Sequence, residues 1–117
     1  MSKTIKEAIA FADQLCRLNA HSAETKTAWL QELDNRVQSE LWHWSPQDML
    51  KYDWESCSDH ELLIPAPYER IYGWWLAANI CLADGEFQHY QNYYAIFDSI
   101  WKEFSRWTVR ERGGVIL

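Results

Sequence analysis

Apolar residues recur along this chain at intervals of three and four, the period of an α-helix packed on one side. Thr4-Ile5-Lys6-Glu7 opens the first such stretch as a capping box, in which Thr4 and Glu7 satisfy each other's orphan backbone amides. Ile5, Ala8, Ile9, Ala12, Leu15 and Cys16 then form a stripe, with Lys6, Glu7, Asp13 and Arg17 opposite. The spacing predicts a helix over about 5–18, broken at Asn19 to His21. Ser22 reads as the N-cap of a second helix over about 23–43, with Glu24 near its positive end. Leu30, Leu33, Val37 and Leu41 form its stripe, and Glu32, Asp34, Arg36 and Glu40 are assigned to the water-facing side.

Ser45-Pro46 restarts a short turn, with Met49, Leu50 and Tyr52 available to tuck it onto the core. Residues 52–61 have no periodicity and read as an acidic loop. Leu62-Leu63-Ile64, closed by Pro65, is too short for a helix. It reads as an extended segment on the helices in preference to a lone strand, since no second strand offers itself. Pro67 opens a third helix to about residue 83, and Asp84-Gly85 ends it because Gly adopts the left-handed closing conformation. Ile71, Tyr72, Trp75, Ala78 and Leu82 make one stripe on it, while Trp74, Ala77 and Cys81 make a second. Such a helix is either central in the bundle or meets another chain through its second stripe.

The fourth helix, over about 87–110, carries Tyr90, Tyr93, Tyr94, Phe97, Ile100, Trp101, Phe104 and Trp107 or Thr108 at helical spacing. Arg106, Arg110 and Arg112 suit the negative end of its dipole. The short Asp84-Gly85-Glu86 link makes the third and fourth helices an antiparallel hairpin. Gly113-Gly114 then releases an apolar tail, Val115-Ile116-Leu117, either frayed or docked. With no repeat or linker, the expectation is one domain over 1–117, all-α, a small bundle of about four helices ending in that hairpin.

Composition changes this picture in one respect. Aromatic residues make up 15% of the chain, with 8 Trp, 6 Tyr and 4 Phe, more than a core of this size readily hides. The surplus hints at a protein partner. Tyr94, Phe97, Trp101 and Phe104 read as core, and Tyr72 and Tyr93 as possible rim hydroxyls. The candidate interface residues are Trp74, Ala77, Cys81 and Tyr72 on the third helix, with Arg106 and Arg110 on the fourth.

A formal net charge of -6 argues against a protein that binds nucleic acid by neutralising phosphates. The charge is uneven: residues 1–98 hold 7 basic and 15 acidic groups, residues 99–117 hold 4 and 2. The acidic excess peaks at Asp48, Asp53, Glu55, Asp59 and Glu61, which gives either a solvated face or one half of a head-to-tail contact with the basic end. No apolar run approaches the roughly 20 residues that span a bilayer. Three cysteines without paired spacing suit a reducing cytoplasm.

Catalytic and metal chemistry find little support. Cys57 and His60, with His43 upstream, make one loose pair where structural zinc takes four ligands. His89, beside Tyr90, reads as a surface histidine, and Glu69-Arg70 as surface charges. Nucleophile elbows and phosphate-cradling Gly-rich loops are absent. No enzyme activity, cofactor or small-molecule substrate is expected.

The stretch ELLIPAPYERIYGWWLAANICLADGEFQHYQNYYAIF, residues 61–97, resembles a family of short proteins from the structural-gene modules of tailed phages and prophages of Gram-positive bacteria. The shared pattern is an apolar triplet, Pro-x-Pro-Tyr, a Tyr-rich helix, Gly-Glu, and a Tyr/Asn-rich helix. Thr4 to Ile9 and Trp29 to Asp34 are similar to that family's opening, while Gln91 and Asp98 depart from the pattern. The resemblance implies a virion-assembly protein akin to head–tail connectors (adaptors). Its partners would be portal or tail components and further copies in a ring, and it would sit in the bacterial cytoplasm during assembly and in the virion afterwards. The alternative expectation is a monomeric regulatory or adaptor module that binds one host or phage protein.

Overall fold

The computed structural model describes residues 3–43 and 51–116, with the backbone alone for Cys57 and 112–116. Among these residues five α-helices form: α1 (Ile5–Leu15), α2 (Ala23–Arg36), α3 (Trp54–Cys57), α4 (Ile71–Ala83) and α5 (Phe87–Ile116). A π-helical turn, Val37–Leu41, continues α2. The fold is all-α, as the periodicity predicts. None of the described helices is long and apolar enough to cross a membrane.

Local signals set the helix ends. At α1 both halves of the capping box are present, Thr4 N–H to Glu7 Oε1 at 3.0 Å and Glu7 N–H to Thr4 Oγ1 at 3.1 Å. Two further orphan donors find partners in the acidic segment: Ile5 and Lys6 N–H donate to the carbonyls of His60 (3.1 Å) and Ser58 (2.9 Å). The segment read as a loop is therefore partly ordered, as the single turn of α3 followed by a cap on α1. It continues into one isolated antiparallel bridge, Thr4 to Glu61, with Leu62 N–H on Lys3 O at 2.8 Å. Beyond it Leu62 and Ile64 are buried on the helices as expected, but the chain bends at Leu63 and Ile64 where an extended segment is predicted. Ser22 caps α2 through Thr25 N–H.

α4 starts at Ile71, four residues later than predicted. Residues 65–70 instead form turns, with Tyr68 N–H on Pro65 O at 2.9 Å and a cis Ala66–Pro67 peptide. Two prolines in three residues disfavour α geometry at the positions before them. The turns place the Tyr68 ring on Phe104 and Trp107, at 5.7 and 5.9 Å. At its far end α4 closes in a Schellman motif. Gly85 has φ 75, Gly85 N–H bonds Leu82 O, and Glu86 N–H bonds Cys81 O. The chain then reverses directly into α5, giving the expected hairpin.

α5 runs past its predicted end and through Gly113-Gly114. Glycine costs a helix about 1 kcal/mol relative to alanine but does not forbid it. At about 1.5 Å per residue its 30 residues span about 45 Å, the longest dimension of the molecule. The turn expected at Ser45-Pro46, with Met49 and Leu50, and Leu117 of the tail lie outside the described residues.

α4 is the central element. Ile71, Tyr72, Leu76, Ala77, Ala78, Ile80 and Cys81 are all buried, covered by α5, α1 and α2 on successive flanks. The approach of α1 is close: a Cβ built on Gly73 would lie 1.8 Å from Phe11 Cδ1. Along α5 the rings of Tyr90, Tyr94, Phe97, Trp101, Phe104 and Trp107 follow one another at centroid separations of 5.3 to 6.3 Å. Trp75 packs on Phe97 at 4.9 Å, and the Arg36 guanidinium lies 4.4 Å from the Trp101 centroid.

Candidate functional site: the Asp34 centre and the outer flank of α5

The most unusual chemical group in the structure is Asp34, which sequence reasoning placed in water. It is completely buried. Position 34 falls four residues after Leu30 and three before Val37, inside the arc that the apolar stripe buries. Three donors converge on the carboxylate. Tyr72 Oη–H donates to Oδ1 at 2.6 Å, Tyr52 Oη–H to Oδ2, and Leu63 N–H to Oδ2 at 3.2 Å. The Tyr72 oxygen also accepts Ile64 N–H at 2.7 Å.

Burial pushes the Asp34 carboxyl up to about 6, against the opposing pull of the two tyrosine hydroxyls, the Leu63 amide and His60. Tyr72 is held well above its ordinary value, first by burial and then by the Asp34 charge. The cluster therefore ties α2, α4, Tyr52 and the segment 62–64 together. Three donors on a fully buried group commit its lone pairs to the fold and leave none facing solvent.

The candidate interface residues separate into two sets. Tyr72 and Ala77 are fully buried and Cys81 is 4% exposed, all within this chain's own bundle. As surface candidates they are corrected. The second stripe of α4 is covered by α1, so the helix is central and needs no other chain to hide it. Tyr72 presents no rim hydroxyl because that hydroxyl serves Asp34. Trp74 is half-buried, edge-on to Phe11 at 5.7 Å and against Tyr93 at 5.8 Å. Arg106 and Arg110 are exposed.

The chain matches no protein-family model, curated protein or solved structure. The site must be read from its own geometry. Trp74, Arg106 and Arg110, the candidates that stay accessible, all line hollows along α5. One, of about 420 Å³, is lined by Arg70, Trp74, Ala95, Ile96, Ser99, Ile100 and Glu103. The next, about 360 Å³, lies among Ser105, Arg106, Val109 and Arg110. Ile96 and Val109 remain 39% and 51% exposed there. Asp53, Glu55, Asp59 and Glu61 are exposed around α3. As for metal chemistry, among the described residues no three His, Cys, Asp or Glu side chains come together. The His60 ring packs on Tyr52 at 5.3 Å.

Proposed function

We propose that this chain is a non-enzymatic assembly protein that works through protein–protein contacts. Its role is the head–tail connector role implied by its resemblance to phage and prophage structural proteins. One observation supports this most: the outer flank of α5. Apolar Val109 is exposed there between Arg106 and Arg110 beside one shallow hollow, and exposed Ile96 borders another nearer the start of α5, while the acidic groups of the α3 region lie exposed elsewhere on the surface. A surface that pairs exposed apolar side chains with arginine has the composition of a protein interface. Opposite charge on a separate patch of the same chain suits a heterologous, head-to-tail contact, which closes into a ring when the rotation allows.

Native mass spectrometry across concentration, alone and with a portal protein, tests the reading. The expected result is an oligomer or a portal complex that weakens at high salt and is lost in Arg106→Glu/Arg110→Glu, with the helical circular dichroism unchanged. A strict monomer that ignores portal and tail components overturns it.

A further inference from the structure

Away from the α5 flank, α1 and α4 bring two thiols together. Cys16 is the residue just past α1, half-buried, and Cys81 lies in the last turns of α4, 4% exposed. Both are free. They line a cavity of about 270 Å³ together with Leu15, Asn19, Ile80, His89 and Tyr93, and the cavity opens to the surface between the end of α1 and the α4–α5 turn. The mouth is framed by Asp84, which His21 Nε2 meets at 2.8 Å. This arrangement is more specific than a buried cysteine in a core. Two thiols, one at the end of α1 and one in α4, line the same space, which a small molecule can enter.

We propose that Cys16 and Cys81 form a modification site, closed by a hydroperoxide into a disulfide that clasps α1 to α4. The Cys16 thiolate attacks one peroxide oxygen, the O–O bond breaks, water leaves, and Cys16 becomes a sulfenic acid. The Cys81 sulfur then attacks the Cys16 sulfur, the S–O bond breaks, and a second water departs. Two thiols lose two electrons and two protons, and the peroxide takes both.

Geometry favours closure. A disulfide holds its sulfurs about 2.0 Å apart, so closure needs one of the two cysteines to move onto the other. Cys16 supplies that movement. It sits outside the α-helical region at φ -123, ψ 68, and Arg17 and Leu18 after it are exposed. Cys81 is the fixed partner, held within α4 between buried Ile80 and the Schellman turn whose Glu86 N–H bonds its carbonyl at 2.9 Å. The assignment of roles follows from the same asymmetry. Cys16, the more exposed thiol, meets the oxidant and Cys81 resolves it. Burial raises both thiols, Cys81 to about 12, so the pair is slow at neutral pH and calls for an oxidant in excess.

The test uses the full chain, in which trypsin separates the three cysteines into peptides 7–17, 52–70 and 71–102. The folded protein is treated with hydrogen peroxide at pH 8.5, free thiols are blocked, and the digest is analysed by mass spectrometry. The expected product links peptide 7–17 to 71–102 within one chain, with a mass loss of about 2 Da for the two hydrogens removed. Dithiothreitol reverses it, and the melting temperature rises by about 10 °C while it lasts. Cys16→Ser and Cys81→Ser each abolish the link and the rise. Sulfinic acid on Cys16 with Cys81 still alkylatable, a link to Cys57 instead, or a 16–81 link formed only after unfolding in urea each overturn the proposal.

Discussion

Replacing Asp34 by Asn separates the charge of the buried carboxylate from its shape, and the structure fixes the sign of the effect. In the folded chain the carboxyl is pushed up to about 6 from 3.8, its ordinary value. The native state therefore holds the Asp34 proton more tightly than the unfolded state does. Well below pH 3.8 both states are protonated and the contribution is fully favourable. It is lost as pH rises through about 6, where the native carboxyl ionises inside the core. A tenfold change in proton affinity is about 1.4 kcal/mol, so the shift corresponds to about 3 kcal/mol in full, of which about 2.5 kcal/mol falls between pH 4 and pH 8. The amide of the Asp34→Asn variant does not titrate, so that variant serves as the reference. Urea unfolding followed by tryptophan fluorescence, run on both proteins from pH 4 to pH 8, gives the difference directly and cancels every other titrating group. The wild type is expected to lose about 2.5 kcal/mol relative to Asp34→Asn across that range, half of the full loss having occurred by about pH 5 and nearly all of it once the pH exceeds about 6. A flat difference refutes the reasoning. So does a wild type that gains on the variant as pH rises, because the tyrosine and amide donors would then outweigh desolvation and hold the carboxyl below its ordinary value.

Two other substitutions test the packing. Gly73→Ala drives a Cβ to within 1.8 Å of the Phe11 ring, which is itself braced edge-on against Trp74. Denaturant melts should show a loss of about 1 to 3 kcal/mol, recovered in part by adding Phe11→Leu, and a neutral variant counts against the close α1–α4 contact. Lys26 is 4% exposed, with Nζ 2.6 Å from Asp13 Oδ1, whereas Lys102 and Asp98 form a pair on the surface of α5. Asp13→Ala strands a buried ammonium and should cost about 3 kcal/mol. Asp98→Ala should cost less than about 1 kcal/mol, and equal losses in the two variants would contradict the burial difference.

The helical architecture was legible because its signals are local. A capping box at Thr4, a Ser at position 22, a Gly with left-handed φ at 85 and a 3–4 aromatic spacing each act within one or two turns, and each forms as read. What the chain does between helices was not legible for the complementary reason. The cap that residues 58–60 place on α1, the bridge from Thr4 to Glu61, and the convergence of Tyr52, Leu63 and Tyr72 on Asp34 all join positions far apart in sequence. A signal for Asp34 existed in its register, i+4 from Leu30. It was overridden by the rule that an acidic residue on a helix faces water, and that rule fails where tyrosine hydroxyls supply the missing hydrogen bonds.

The aromatic surplus changes meaning on the same grounds. On the sequence it exceeded what one small core could hide and pointed outward through Trp74, Ala77 and Cys81. In the fold it is spent inward. Tyr68 fills the space above Phe104 and Trp107, Trp75 donates its Nε1–H to Trp29 O at 2.7 Å, and Trp74 is wedged between Phe11 and Tyr93. Large rings bridge helices of unequal length, which is what a 13-residue α4 packed against a 30-residue α5 requires. Among the described aromatic residues only Phe87 is exposed, at 61%, so the scaffold uses nearly all of them and their number no longer argues for a partner. That argument moves to residues that the scaffold does not use. Arg106, Val109 and Arg110 sit on the outer side of α5, exposed and outside the aromatic ladder. They can be exchanged without disturbing the core, so any partner that depends on them will report on the surface alone.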